Sequence, residues 1–339
     1  EVIRANALGK FSTMLLAAAR HPAMLRYLNN DQSDKRSVNE NYGRELLELH
    51  SVGVDGGYTE ADVRNSAYIL TGRTINGSGE FVYSKSKHKT GAVKVLGFSD
   101  PNSSAANGLA MGDAYVTYLA THPSTARYVA HKLAVRFVAD SPPKSLTDRL
   151  AQVYLDNGTA IVPVLRSLFS SLEFWIATGL KTRRPLENYV ATARTLGVQP
   201  GGNTKSALES LIFRLTQIGQ APMNWAQPNG FPDVAVAWDS AQGTLGLWNS
   251  HRSLAQGQAK GLTYAKLETL VPTPPATVGA YLDALAVRLV GQPMRDSDRA
   301  ALLTFLGLAG NAAVPGATLG NKIQYVVPLI LDSVYHALR

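Results

Sequence analysis

The chain has 339 residues, 45% apolar and only 17% charged, which is enough to bury a large core and excludes global disorder or a fold dependent on staples. It contains no cysteine, so disulfides, thiolate nucleophiles, Fe–S clusters and cysteine-based zinc sites are excluded together. Thirty-three Lys and Arg against 25 Asp and Glu give a net charge of +8, a field that concentrates anionic partners.

In chain order, Phe11, Leu15, Leu16 and Ala19, then Met24, Leu25 and Leu28, recur at helical spacing on either side of His21-Pro22, which predicts a helix pair. A polar loop follows over Asn30 to Ser37, and a helix is expected from Asn39 through Val52, ended by Gly53. Thr59 with Asp62 three residues later has the form of a helix start, with Val63, Ala67, Ile69 and Leu70 carrying that helix to Gly72. Residues 73–97 change pattern: glycines at 77, 79, 91 and 97 and the alternations Phe81/Tyr83 and Val93/Val95 predict a small β-hairpin excursion. Asp100 to Gly112 reads as a loop. Successive amphipathic helices are then predicted over 114–121, 124–138, 146–157, 161–168, 185–195 and 207–217.

The run Gly219 to Asp239 departs from this rule. Pro222, Pro228 and Pro232 forbid a helix while Trp225, Phe231 and Trp238 supply large rings, so an ordered, irregular Pro/Trp-rich loop is expected. Helices are predicted again over 244–257, 275–290, 296–306 and 319–338. No fixed repeat and no composition shift marks a linker, so residues 1–339 read as one mostly α, single large helical domain. No apolar run reaches the length of about 18 residues that spans a bilayer, so no transmembrane segment is expected. The basic residues are dispersed, with dense groups only at Lys35-Arg36, Lys85-Lys87-Lys89 and Lys181-Arg183-Arg184, so no specific nucleic-acid binding is expected either.

The densest cluster of functional groups is Asn39 to His50. On a helix Asn41, Arg44, Glu45 and Glu48 share one stripe, and two carboxylates three residues apart suit a shared proton, a metal or a reacting bond. The rival reading is an Arg44–Glu48 ion pair on a solvated face, worth about 0.3–0.5 kcal/mol. His88, within Lys85 to Gly91, is placed in the hairpin region, where its imidazole would ligate or accept a proton; an exposed turn histidine is the alternative. In the Pro/Trp-rich loop, Trp225, Asn229 and Trp238 fit a carbohydrate platform, rings for apolar faces and amides for hydroxyls, or else plug a helical core. No HExxH, GxSxG, P-loop, dinucleotide fingerprint or EF-hand is present.

The strings Ala18 to Asn30 (AARHPAMLRYLNN) and Asn39 to Thr59 (NENYGRELLELHSVGVDGGYT) resemble a bacterial family catalogued as domain of unknown function 1800. So do Leu70-Thr71-Gly72-Arg73, His122 to Arg127, Glu173-Phe174-Trp175, Arg184 to Glu187 and the run from Gly219 to Pro232, so that the similarity spans most of the chain. Family members carry a further N-terminal helical segment with a Trp-His-Asn-His-Phe-like string that has no counterpart here. With the opening Glu1-Val2-Ile3, the resemblance therefore implies a processed or partial chain. It also implies export, hence an extracytoplasmic (periplasmic or secreted) location, and a secreted sulfatase-like partner protein. After the histidine, Lys89-Thr90 stands where an acidic residue is frequent in the family.

The function expected from these readings is a hydrolase-like enzyme, of glycoside-hydrolase type, acting on acidic or neutral polysaccharide or another anionic envelope polymer. Glu45, Glu48 and His88 are its expected catalytic residues, with Asn41, Arg44, Arg73, Trp225, Asn229 and Trp238 contacting substrate. The alternative is a non-catalytic envelope binding or assembly protein, in which the two glutamates pair with arginines. A further alternative is a divalent-metal enzyme using Glu45, Glu48 and His88.

Overall fold

The computed structural model describes residues 1–317 and 319–339. Among the described residues the chain forms seventeen α-helices, short 3-10 turns and three two-stranded antiparallel sheets, so the mostly α architecture with small hairpins is as the sequence predicts. By packing it divides into two compact units, Glu1–Ile176 and Ala177–Arg339. The sequence reading drew no boundary there because no change of composition accompanies it.

In the first unit the helices Asn41–Glu48 and Glu60–Leu70 pack closely. The first of them is shorter than expected because the Ser51 hydroxyl caps the Leu46 carbonyl (2.6 Å) and the chain turns before Gly53. The second begins with the expected cap: the Asp62 amide donates to Thr59 Oγ1 (3.2 Å) and the Thr59 amide to Asp62 Oδ2 (2.8 Å). The other oxygen, Asp62 Oδ1, accepts the Leu96 amide (3.1 Å), so the same carboxylate starts a helix and anchors the β excursion. The two helices approach so closely at Gly43 that a Cβ there would lie 2.6 Å from the Ala67 amide nitrogen and 2.9 Å from the Val63 carbonyl oxygen. Backbone cannot yield as a side chain can, so Gly43→Ala is expected to destabilise by about 1–3 kcal/mol, read by urea denaturation. An unchanged midpoint would mean that the helices can separate freely.

The β excursion is two hairpins, Arg73–Ile75 with Phe81–Tyr83 and Val93–Val95 with Phe98–Asp100. Val93 and Val95 point into the core and Lys94 out, the alternation their sequence dictates. Their core includes Leu46, Leu47, Val63, Ile69, Tyr115 and Leu119. The next helix runs Gly108–Thr121, six residues earlier than the sequence suggests. Gly108 is required by contact: a Cβ there would sit 2.1 Å from the Tyr83 hydroxyl and 2.7 Å from His88 Nε2.

The second unit has its own core, in which Leu215, Leu254, Tyr281, Leu282, Leu285, Val326, Val327 and Ile330 are buried. The helices that matter for its site are Pro185–Thr195, Ala241–Ala255 and Ile323–Leu331, followed by the short turn of helix Val334–Ala337. The helix predicted over 319–338 is broken after Leu331, where Ser333 caps the short final helix in extended geometry.

Candidate functional site

Helix Asn41–Glu48 turns Tyr42, Gly43, Leu46 and Leu47 into the core and leaves Asn41, Arg44, Glu45 and Glu48 on its half-buried side. Arg44 binds Glu60 through two hydrogen bonds (2.9 and 2.6 Å), reaches Glu48 at 3.4 Å and has Glu40 at 4.0 Å. The Glu60 contact, opposed by burial, holds the guanidinium even more firmly protonated than usual. Tyr58 leans on Glu48, and burial with that carboxylate pushes its hydroxyl up to about 12. Asn41 is spent on local structure: its backbone amide donates to Asn39 Oδ1 (2.9 Å), and its Nδ2 donates to the Leu28 carbonyl (3.4 Å).

Glu45 differs from Glu48. Burial first, and the Glu48 charge second, raise its proton affinity, while Arg44 opposes them. A carboxylate whose folded pKa is raised loses stability for the fold as pH climbs through the range just above the ordinary glutamate value. Glu45→Gln is therefore expected to leave the protein equal to or slightly more stable than wild type at pH 7, by less than about 1 kcal/mol, and Glu48→Gln slightly less stable through loss of Arg44. Melting curves at pH 4 and 7 measure this; a Glu45→Gln variant that is the weaker of the two at pH 7 contradicts it.

His88 is buried rather than exposed in a turn. Its Nδ1 donates to the Thr71 carbonyl (2.9 Å), and Nε2 is hydrogen bonded to the Asn102 side-chain amide (2.8 Å), which in turn donates to the Lys89 carbonyl (2.8 Å). Both nitrogens are used to tie the two hairpins together. Arg73 is completely buried, its Nη2 donating to Asp113 Oδ1 at 2.8 Å. No hydrogen bond or ion pair among the described residues joins His88 or Arg73 to Glu45 or Glu48. Nor, among the described residues, do three or more His, Asp and Glu side chains gather as a metal-binding group.

Trp225, Asn229 and Trp238 belong to the second unit, where the Pro/Trp-rich run is the irregular loop its prolines dictate. Trp225 Nε1 donates to Asn229 Oδ1 (2.8 Å), and Trp238 Nε1 to the Pro232 carbonyl (3.1 Å), so both indoles are fixed. The rings of Trp225, Phe231 and Trp238 follow one another at 5.1 and 5.9 Å. This ladder is partly exposed, with Trp225 36% accessible, so it does not plug a core. Its last rung, Trp238, forms part of the wall of a hollow of about 400 Å³, together with Trp248, Leu247, Thr244, Asp239 and Asp332.

The floor of that hollow was not legible in the sequence. His251 is buried, with Nδ1 donating to Asp332 Oδ1 (2.7 Å) and Nε2 hydrogen bonded to the Asn188 side-chain amide (2.7 Å). Behind it, 5.3 Å from ring to ring, lies His336, also buried. The Thr192 hydroxyl donates to the Asn188 carbonyl (3.0 Å) and so accepts the Nε2 proton of His336 (2.8 Å). Burial, and then the neighbouring His251 and Arg183, hold His336 neutral, its pKa down at about 3. Asn188 and Asp332 stand 63 and 81 residues from His251, so no local motif announces them; the only sequence signal is Asp332 and His336 four residues apart.

No curated protein and no solved structure is significantly similar to this chain. Residues 1–334 match the family described as Protein of unknown function (DUF1800), and the chain belongs to that family.

Proposed function

We propose that this is an envelope protein that binds polysaccharide on the second unit, exported as its sequence resemblance implies, with the Asn41–Glu48 cluster holding the first unit together. The observation that carries the reading is the fixed, partly exposed ladder of Trp225, Phe231 and Trp238 leading to a hollow walled by a further indole. Rigid rings offer flat apolar area to the C–H faces of sugars at little entropic cost, and the neighbouring carboxylates and hydroxyls accept or donate to sugar hydroxyls. The pairing of Glu48 with Arg44, and of Arg44 with Glu60, supports a structural part for that cluster, as the non-catalytic alternative expects.

The hydrolase reading retains one supporting observation, the raised proton affinity of Glu45, which suits a general acid. Two carboxylates on one helix, one of them engaged by an arginine, are poorly placed to flank a scissile bond.

Affinity electrophoresis against neutral and acidic polysaccharides tests the binding reading. Trp225→Ala and Trp238→Ala are each expected to weaken binding about tenfold, equivalent to about 1.4 kcal/mol. If both variants migrate as wild type does with every polymer, the ladder is not the binding face. Product release abolished by Glu45→Gln, with binding intact, would instead establish the hydrolase.

A further inference from the structure

The hollow in the second unit has a built floor, and it is of the size of a small-ligand site. Asp332 lines it with its side chain 21% exposed. One carboxylate oxygen, Oδ1, is held by His251, while among the described residues no hydrogen bond uses Oδ2. His251 is itself locked by Asn188, and all the polar atoms of this relay lie on buried side chains apart from the carboxylate that ends it. Such a relay fixes the orientation of one open acceptor in the way that supporting residues fix a ligand-binding group.

The charges of the lining decide what that acceptor receives. Asp239 is a second carboxylate at the hollow, and Thr244 and Ser333 are neutral. Arg183 is the cation facing them, and its Nη1 is already donated to the His336 carbonyl. Two carboxylates outnumber the one guanidinium of the lining, which disfavours a carboxylate or phosphate on the ligand and suits hydroxyl donors. Trp238 and the 44% exposed Trp248, both in the lining, supply apolar faces.

We propose, building on the saccharide reading above, that the hollow takes a neutral sugar residue of a glycan, stacked on Trp238 and Trp248, with Asp332 accepting its hydroxyls and His251 as the positioning residue for that carboxylate. The ladder from Trp225 then carries the adjoining residues of the same chain.

The test is calorimetric titration of the full chain with neutral pentasaccharides of β-1,4-glucose, α-1,4-glucose and β-1,4-mannose, with galacturonic acid pentamer and with glucosamine pentamer. At least one neutral probe is expected to bind ten times or more tightly than the uronide or the glucosamine pentamer. Asp332→Asn is expected to weaken that probe about tenfold while narrowing its margin over the uronide. Trp248→Ala, at an exposed ring whose loss leaves the core intact, is expected to weaken it by a similar factor and serves if Asp332→Asn does not fold. His251→Ala should reproduce the Asp332→Asn loss, and His251→Asn, whose amide can replace the Nδ1 donor, should restore affinity.

The inference is overturned if the uronide or the glucosamine pentamer binds most tightly. It is overturned equally if Asp332→Asn and Trp248→Ala leave neutral affinity within twofold while Trp238→Ala still weakens it; saccharide binding then stands and only the hollow is misassigned. If no probe binds and polysaccharide retardation is absent as well, the saccharide reading itself falls and the inference with it.

Discussion

Replacing Asp113 by asparagine is expected to destabilise the first unit by about 3 kcal/mol, the lower end of the cost of stranding one partner of a buried ion pair. Arg73 has no accessible surface, and its guanidinium is packed against helix Gly108–Thr121 where Gly112 leaves room, a Cβ there lying 2.7 Å from Nη2. Among the described residues Nη2 alone is engaged, by Asp113 and more weakly by the Leu109 carbonyl (3.4 Å), and Nε and Nη1 have no hydrogen-bond partner. The charge of Arg73 therefore depends on one carboxylate, which Arg20 shares from a more exposed position. Asparagine keeps the shape and an acceptor but removes the counter-charge, and the partial exposure of Asp113 lets water relieve some of the penalty. Arg73→Met removes cation and need together and is expected to cost less than Asp113→Asn, because an apolar side chain of similar volume can replace a buried ion with little loss. Urea denaturation by circular dichroism, with hydrogen exchange across residues 108–121, measures both. Asp113→Asn within about 0.5 kcal/mol of wild type, or Arg73→Met the worse of the two, would refute the argument. Saccharide affinity in the second unit is expected to be untouched by either variant.

What could be read from the sequence was what short-range chemistry determines. The capping pair Thr59–Asp62, the alternation of Val93 and Val95 and the proline-forced irregularity of the Trp225–Trp238 loop all lie within a few residues of one another and appear as expected. Where the reading differs, a distant partner decided. Gly108 and Gly112 make the start of helix Gly108–Thr121 look like loop, yet they are glycines because Tyr83, His88 and Arg73 press against that helix, and packing outweighs the propensity penalty. His88 looked like a turn residue because its neighbours are lysines, whereas Thr71 and Asn102, far along the chain, bury it. Among the candidate site residues, Trp225 and Asn229 do share a hydrogen bond, a spacing of four residues that the loop itself supplies. The relay of Asn188, His251 and Asp332 is assembled from three helical segments, and nothing near any one of them signals the other two. The network around Arg44 falls between these cases: Glu48 at four residues was foreseeable, and Glu60, which gives the shorter contact, came from the next helix.

Acidification from pH 6.5 to pH 4 is expected to remove about 3 kcal/mol from the stability of the second unit through His336 alone. The residue is 1% exposed and is held neutral by burial, with His251 and Arg183 adding to the effect, so that its pKa falls from 6.5 in the unfolded chain to about 3. Between those two values the unfolded chain takes up a proton that the folded one refuses, so stability drops as pH falls below 6.5, and the loss is complete only near pH 3, at about 5 kcal/mol. The sign is opposite to that of a histidine gaining a carboxylate partner, and it follows from burial without a counter-charge: the neighbour of Nε2 is Thr192, whose hydroxyl proton is committed to the Asn188 carbonyl and which offers the imidazole only a neutral acceptor. In His336→Gln a side-chain amide can still reach Thr192, but there is nothing left to titrate. That variant is expected to be less stable than wild type at pH 7 by about 1–2 kcal/mol through imperfect packing, and to lose the excess as pH falls, its curve crossing that of wild type between pH 6 and pH 4. Three of the four tryptophans, Trp225, Trp238 and Trp248, lie in this unit and only Trp175 in the first, so tryptophan fluorescence during urea denaturation, measured in a Trp175→Phe background, reports on it. Half-buried His50 and His122, which are also shifted toward the neutral form, act alike in both proteins and cancel in the difference. Parallel curves for the two proteins across this range would show that folded His336 takes up its proton as readily as the unfolded chain does, and its being held neutral by burial would have to be abandoned.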